Sequence, residues 1–159
     1  MDKGELIQLL KEYKENKAKR EIKLKELKNA RIALKNCEDT YTSVTSILGI
    51  NQDIHSKNKI SNKVLDKVEK NDTKRRELKE KISKLEEEVR ELTDKVDIVD
   101  DRLSALKYKE KEILTSYYVE GLTAEDIGNR IYWSLFKQTR SGRHIQRVID
   151  IATEKMAKL

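Results

Sequence analysis

From Leu78 to Leu106 an apolar residue recurs at alternating steps of four and three: Leu78, Ile82, Leu85, Val89, Leu92, Val96, Val99, Leu103 and Leu106. That period belongs to a helix that packs on another helix along one seam. An earlier segment carries a weaker version. Leu6, Tyr13, Leu27, Leu34, Tyr41 and Leu48 share one heptad line, which Arg20 interrupts, and Leu10 and Leu24 share the other with Lys17, Arg31, Glu38 and Thr45. Either polar layers specify a register there, or the true apolar stripe drifts off the heptad. Between the two segments lies GINQDIHSKNKI, where Gly49 and the turn-forming Asn, Asp and Ser predict a bend. The expected layout is a coiled-coil region 1–106, with a helix at 5–47, a bend at 48–61 and a helix at 61–106. Arms of roughly 45 residues each suggest an antiparallel helical hairpin. A parallel dimer zipped through the second helix is the alternative, and two hairpins pairing into a four-helix bundle satisfy both.

After Leu106 the pattern shortens into three helices, over residues 107–159. The first, about 109–120, turns Ile113, Leu114, Tyr117 and Tyr118 inward and stops at Gly121, a residue suited to the left-handed conformation. Thr123, with Asp126 three residues on, reads as the N-cap of a second helix starting near Ala124. That helix offers Ile127 and Ile131 on one face, with Gly128 beside them to let another helix approach. A third helix starts near Ser141 or Gly142 and buries Ile145, Val148 or Ile149, Ala152 and Met156. This is the outline of a helix-turn-helix.

Composition narrows the class. The chain has 159 residues, is 40% charged, and holds no proline and five glycines, which suits long helices better than one large globular core. The fold class is therefore all-α. One cysteine, Cys37, beside Glu38 and Asp39, reads as small filler, and His55 and His144 lie apart, so neither a disulfide, a metal nor another cofactor is expected. No apolar run of membrane-spanning length exists in the sequence, so a cytoplasmic protein without membrane contact is expected. No Ser/His/Asp set, phosphate-cradling glycine loop or paired-carboxylate pocket can be assembled, which speaks against an enzyme.

Charge distribution directs attention to the third helix. The acidic run Glu86, Glu87, Glu88, Glu91, Asp94, Asp97, Asp100 and Asp101 reads as a solvated face that repels phosphates. In contrast, no acid occurs between Ile127 and Ile149, where Arg130, Lys137, Arg140, Arg143 and Arg147 are joined by Gln138, His144 and Gln146. Arginine suits phosphate and guanine contacts, and glutamine suits base edges. With Ile145 and Ile149 inward, Arg143, His144, Gln146, Arg147 and Asp150 fall on the outward arc open to a major groove. Arg130, Lys137 and Arg140 are the candidates for phosphates.

EKEILTSYYVEGLTAEDIGNRI followed by SGRHIQRVIDIATEKMAKL resembles the fourth region of bacterial sigma factors, through Leu122, Thr123, Glu125, Ile127 and Gly128, then Arg143 and Arg147, and at the end Met156, Lys158 and Leu159. A helical coiled-coil part before such a head looks like the small sigma-like regulators of phages and prophages of Gram-positive bacteria, the ArpU/RinA-type group. The likeness covers about a third of the chain in the head and is one of layout elsewhere. It implies a sequence-specific, double-stranded-DNA-binding regulator of phage or mobile-element transcription in a bacterial host cell, with RNA polymerase as a possible second partner and homo-oligomers formed through the long helices. A DNA-packaging recognition subunit of small-terminase type and a coiled-coil adaptor or inhibitor that binds another protein are the alternatives. One departure stands out. A standard helix-turn-helix puts its first inward recognition residue eleven positions after Ile127, at Gln138, whereas the apolar Ile145 comes seven later. The insert 132–141 either prolongs the second helix by about two turns or forms a loop. Tyr132, Trp133 and Phe136 are expected in the core, with an exposed partner surface as the alternative.

Overall fold

The computed structural model describes residues 1–50 and 62–159, with side chains described for 1–37 and 68–159. The expected bend thus lies outside the described residues from 51 to 61, as do the side chains of Tyr41, Leu48, His55 and Val64. Among the described residues every element is helical: α1 (Lys3–Ile50), α2 (Asn62–Ser104), α3 (Tyr108–Leu114, running into a π-helical turn at Thr115–Val119), α4 and α5 (Gly142–Lys158). Helix α4 is continuous through Ala124–Asp126, a π-helical turn at Ile127–Ile131, and Tyr132–Phe136. α1 continues through Gly49, three residues beyond the expected end at 47. The chain forms two compact units, residues 21–90 and residues 1–20 with 91–159.

In the unit of residues 21–90, α1 and α2 run antiparallel. Leu27, Ala30 and Leu85 are buried together with Ile82 against them, and Lys23–Glu88 at 3.0 Å and Arg31–Glu86 at 2.7 Å fix the direction. The seam predicted for α2 is present throughout: each residue from Leu78 to Leu106 at the four-three spacing is buried or half-buried. The second line of α1 is different. Lys23, Ala30 and Cys37 turn inward where Leu24, Arg31 and Glu38 were expected, and Leu24 is 45% exposed. The stripe has moved by one residue, and the long aliphatic stem of Lys23 covers the seam while its charge reaches Glu88.

The unit of residues 1–20 and 91–159 has a core of its own. Leu6 and Leu10 of α1 and Val99 and Leu103 of α2 are buried with Ile113, Leu114, Ile127, Tyr132, Ile145, Ile149, Ala152 and Met156. This core therefore draws residues from both sides of position 106. Tyr13 donates to Asp100 at 2.6 Å and Arg20 meets Asp97 at 3.7 Å, so the helices are antiparallel here too. Asn16 is buried three residues after Tyr13, at the step where the α1 stripe leaves its heptad. Arg102 donates to the Met156 carbonyl near the end of α5, and Lys155 pairs with Glu110 of α3, holding that carboxyl below its usual range.

Local signals behave as the sequence suggests. Gly121 has φ +74°, and the Leu122 amide donates back to Ser116 at 3.0 Å. Thr123 Oγ1 accepts from the Asp126 amide at 3.2 Å and donates to its carboxylate at 2.7 Å, and Ser141 caps α5 by accepting from the His144 amide at 3.4 Å.

Candidate nucleic-acid interface

The segment without acids folds as the second half of α4, a connection at residues 137–141, and the start of α5. The connection is anchored through one close backbone approach. The Arg140 amide donates to the Gly128 carbonyl at 3.1 Å, and a Cβ on Gly128 would stand 2.0 Å from the Arg140 carbonyl oxygen. The missing side chain lets the turn lie against the helix, which sets where α5 begins.

The insert 132–141 is divided: Tyr132–Phe136 continue the helix a little over one turn past Ile131, and 137–141 form the connection. Tyr132 is buried at 3% exposure and Phe136 is half-buried against it, with ring centroids 4.8 Å apart. Trp133, expected in the core, is 53% exposed. At the π turn the Tyr132 amide donates to Ile127, five residues back, so Tyr132 takes the place beneath Ile127 that regular helical phase gives to Ile131. Everything after the turn is rotated by one residue, which brings Tyr132 inward, while Trp133, six positions after Ile127, falls off the Ile127 face with or without the turn. Lys137 ends the helix in the left-handed conformation, φ 54°.

Thr139, Arg140, Ser141, Arg143, His144 and Arg147 line one open polar groove at the start of α5. Arg140, Arg143 and Arg147 are exposed there, with no carboxylate among the groove's lining residues. The expected outward arc holds for Arg143, Arg147 and Asp150 and is modified for two neighbours. His144 is half-buried, its ring edge-on to Tyr132 at 6.3 Å, and its Nε2 is buried with no hydrogen-bond partner among the described residues. Its ring therefore braces the site from inside instead of projecting outward. Gln146 is half-buried and its amide lies 3.5 Å from Asp150, at the limit of a hydrogen bond. Arg130, Lys137 and Gln138 are outside the groove's lining. The Arg130 side chain is 79% exposed with Asp126 4.0 Å away, and Gln138 accepts from Arg140 at 3.1 Å, orienting that guanidinium.

One cation escaped sequence reasoning. Lys109 of α3 brings Nζ to 4.5 Å from the Tyr132 ring centroid, while Arg140 Cζ lies 5.8 Å from the same ring. Burial raises the Tyr132 phenol, but hydrogen bonding and charge from Lys109 and Arg140 outweigh it and hold the group below its usual range. Nothing in a lysine-rich helix marks one lysine as different, so only tertiary packing reveals it.

Among the described residues, no group of three or more His, Cys, Asp or Glu side chains could hold a metal ion, and no helix is long and apolar enough to cross a membrane. No protein-family model, curated protein or solved structure matches the chain.

Proposed function

We propose that the chain is a sequence-specific DNA-binding regulator of transcription, with α5 entering the major groove of double-stranded DNA. The observation that carries this reading is the groove of Arg140, Arg143 and Arg147, three exposed guanidinium groups from one helix start and its preceding turn. Guanidinium groups at the first turns of a helix suit both phosphates and guanine edges. Arg143 and Arg147 are assigned to base edges, Gln146 to a base after release from Asp150, and Arg130, Lys137 and Arg140 to phosphates. His144 supports them from behind, and Gln138 orients Arg140.

The likeness to the fourth sigma region supports a phage or mobile-element regulator that works in the bacterial cytoplasm and touches RNA polymerase. Homo-oligomers form through the long helices: Leu24 and Ile32 of α1 are exposed among Lys28, Arg31 and Lys35, opposite in sign to the acidic face of α2. Selection of bound duplexes from a random-sequence pool tests the regulator reading. An enriched motif supports it, and a pool that stays random contradicts it. Recording the mass in solution separates it from a DNA-packaging subunit, for which a ring of eight or more copies is expected. A protein adaptor is the second reading, favoured by the exposed Trp133, and it predicts no enrichment.

A further inference from the structure

The sharing of one aromatic ring by two cations asks for an explanation. Lys109 also stands 5.5 Å from the Phe136 ring centroid, so a lysine of α3 is held over the aromatic pair of α4 while Arg140 reaches the same ring from the turn. A cation over an aromatic face is attracted by the negative face of the ring. Two cations on one ring repel each other, and among the described residues no carboxylate lies within ion-pair distance of either one. Tyr132 cannot move away, since it is buried at 3% exposure between Phe136 and His144. The arrangement is thus a pair of positive groups, contributed by different helical elements and gathered at one buried ring, with no carboxylate partner among the described residues.

We infer that Lys109 and Arg140, positioned by Tyr132, form a binding site for a single backbone phosphate of DNA. The inference rests on the DNA-binding reading above and deepens it, because it adds α3 to the contact surface. Continuity favours a DNA phosphate over a protein carboxylate: Arg140 also lines the arginine groove with Arg143 and Arg147, so one duplex strand meets both. Lys109 anchors the strand as a point charge, and Arg140 is oriented through Gln138 to donate toward the same phosphate.

The test is duplex-DNA affinity across a salt series for the full chain, comparing wild type with Lys109→Gln, Lys109→Arg and, as a control on the exposed side of α3, Lys111→Gln, with thermal unfolding recorded for each. Lys109→Gln is expected to weaken binding several-fold and to reduce the slope of log affinity against log salt by about one. Lys109→Arg retains the wild-type slope, and Lys111→Gln changes neither quantity. A Lys109→Gln variant with wild-type affinity and slope, while Arg143→Glu/Arg147→Glu abolishes binding, overturns the phosphate site and leaves the regulator reading standing. So does equal loss in Lys111→Gln, which would mean diffuse attraction. Absence of wild-type binding at low salt overturns both, and a carboxylate-bearing protein partner then becomes the occupant to seek.

Discussion

A methyl group on Gly128 would stand 2.0 Å from the Arg140 carbonyl oxygen, in a place where the two backbones already share a 3.1 Å hydrogen bond. The obstacle is backbone, which cannot rotate aside as a side chain can. Gly128→Ala is therefore expected to cost about 2–3 kcal/mol or to push the turn away from α4. Chemical denaturation measures the first effect. Loss of DNA affinity beyond the fraction unfolded measures the second.

Tyr13 and Asp100 give a pH signature. Burial, then the 2.6 Å hydrogen bond to Asp100 and that carboxylate's charge, push the Tyr13 phenol from 10.0 up to about 12. The folded state therefore holds a proton that the unfolded state releases. This contribution is fully present below pH 10 and is lost as pH rises toward 12. Denaturation at pH 9 and 11.5 should show wild type losing about 1 kcal/mol more than Tyr13→Phe, with solvent screening included. Equal losses would mean the phenol is not held neutral.

Leu6 and Leu10 are fully buried in the same core as Ile145 and Ile149. Leu10→Ala is expected to cost about 2–5 kcal/mol. A fragment of residues 107–159 alone, deprived of Leu6, Leu10, Val99 and Leu103, should lack cooperative unfolding in circular dichroism. A cooperative melt would show that the α1 and α2 residues only decorate a self-sufficient head.

How much of this was legible can be judged residue by residue. The α2 seam was, because every position at the four-three spacing from Leu78 to Leu106 is apolar and a single period accounts for them all. The α1 stripe was not, since Leu24 looks like a seam residue and Lys23 does not, and only Glu88 on the facing α2 makes Lys23 the better fit. The cap at Thr123, the stop at Gly121 and the helix start near Ser141 or Gly142 were legible because they are local. Trp133 was misplaced because its bulk suggests burial, although a place six residues after Ile127 is off the inward face even of a regular helix. The arginine groove was readable from the lack of acids, whereas the inward turn of His144 and the arrival of Lys109 depend on where the Tyr132 ring sits.

Lys137 offers a way to separate stability from binding. It ends α4 in the left-handed conformation, which costs a residue with a Cβ roughly 1–2 kcal/mol. Lys137→Gly should raise the melting temperature slightly, because glycine's greater unfolded-state freedom offsets part of the relief. The same variant should bind DNA with a shallower salt dependence if Lys137 meets a phosphate. A more stable protein with unchanged salt dependence would remove Lys137 from the interface.

The central claim, that the start of α5 reads DNA, is tested most directly by titrating wild type and Arg143→Glu/Arg147→Glu against labelled duplex DNA across a salt series. The account predicts tight wild-type binding that weakens linearly in log–log form with salt, and at least a hundredfold loss in the double variant at unchanged helicity, about 3 kcal/mol. Wild-type binding that charge reversal leaves intact, or no binding at low salt, would contradict it.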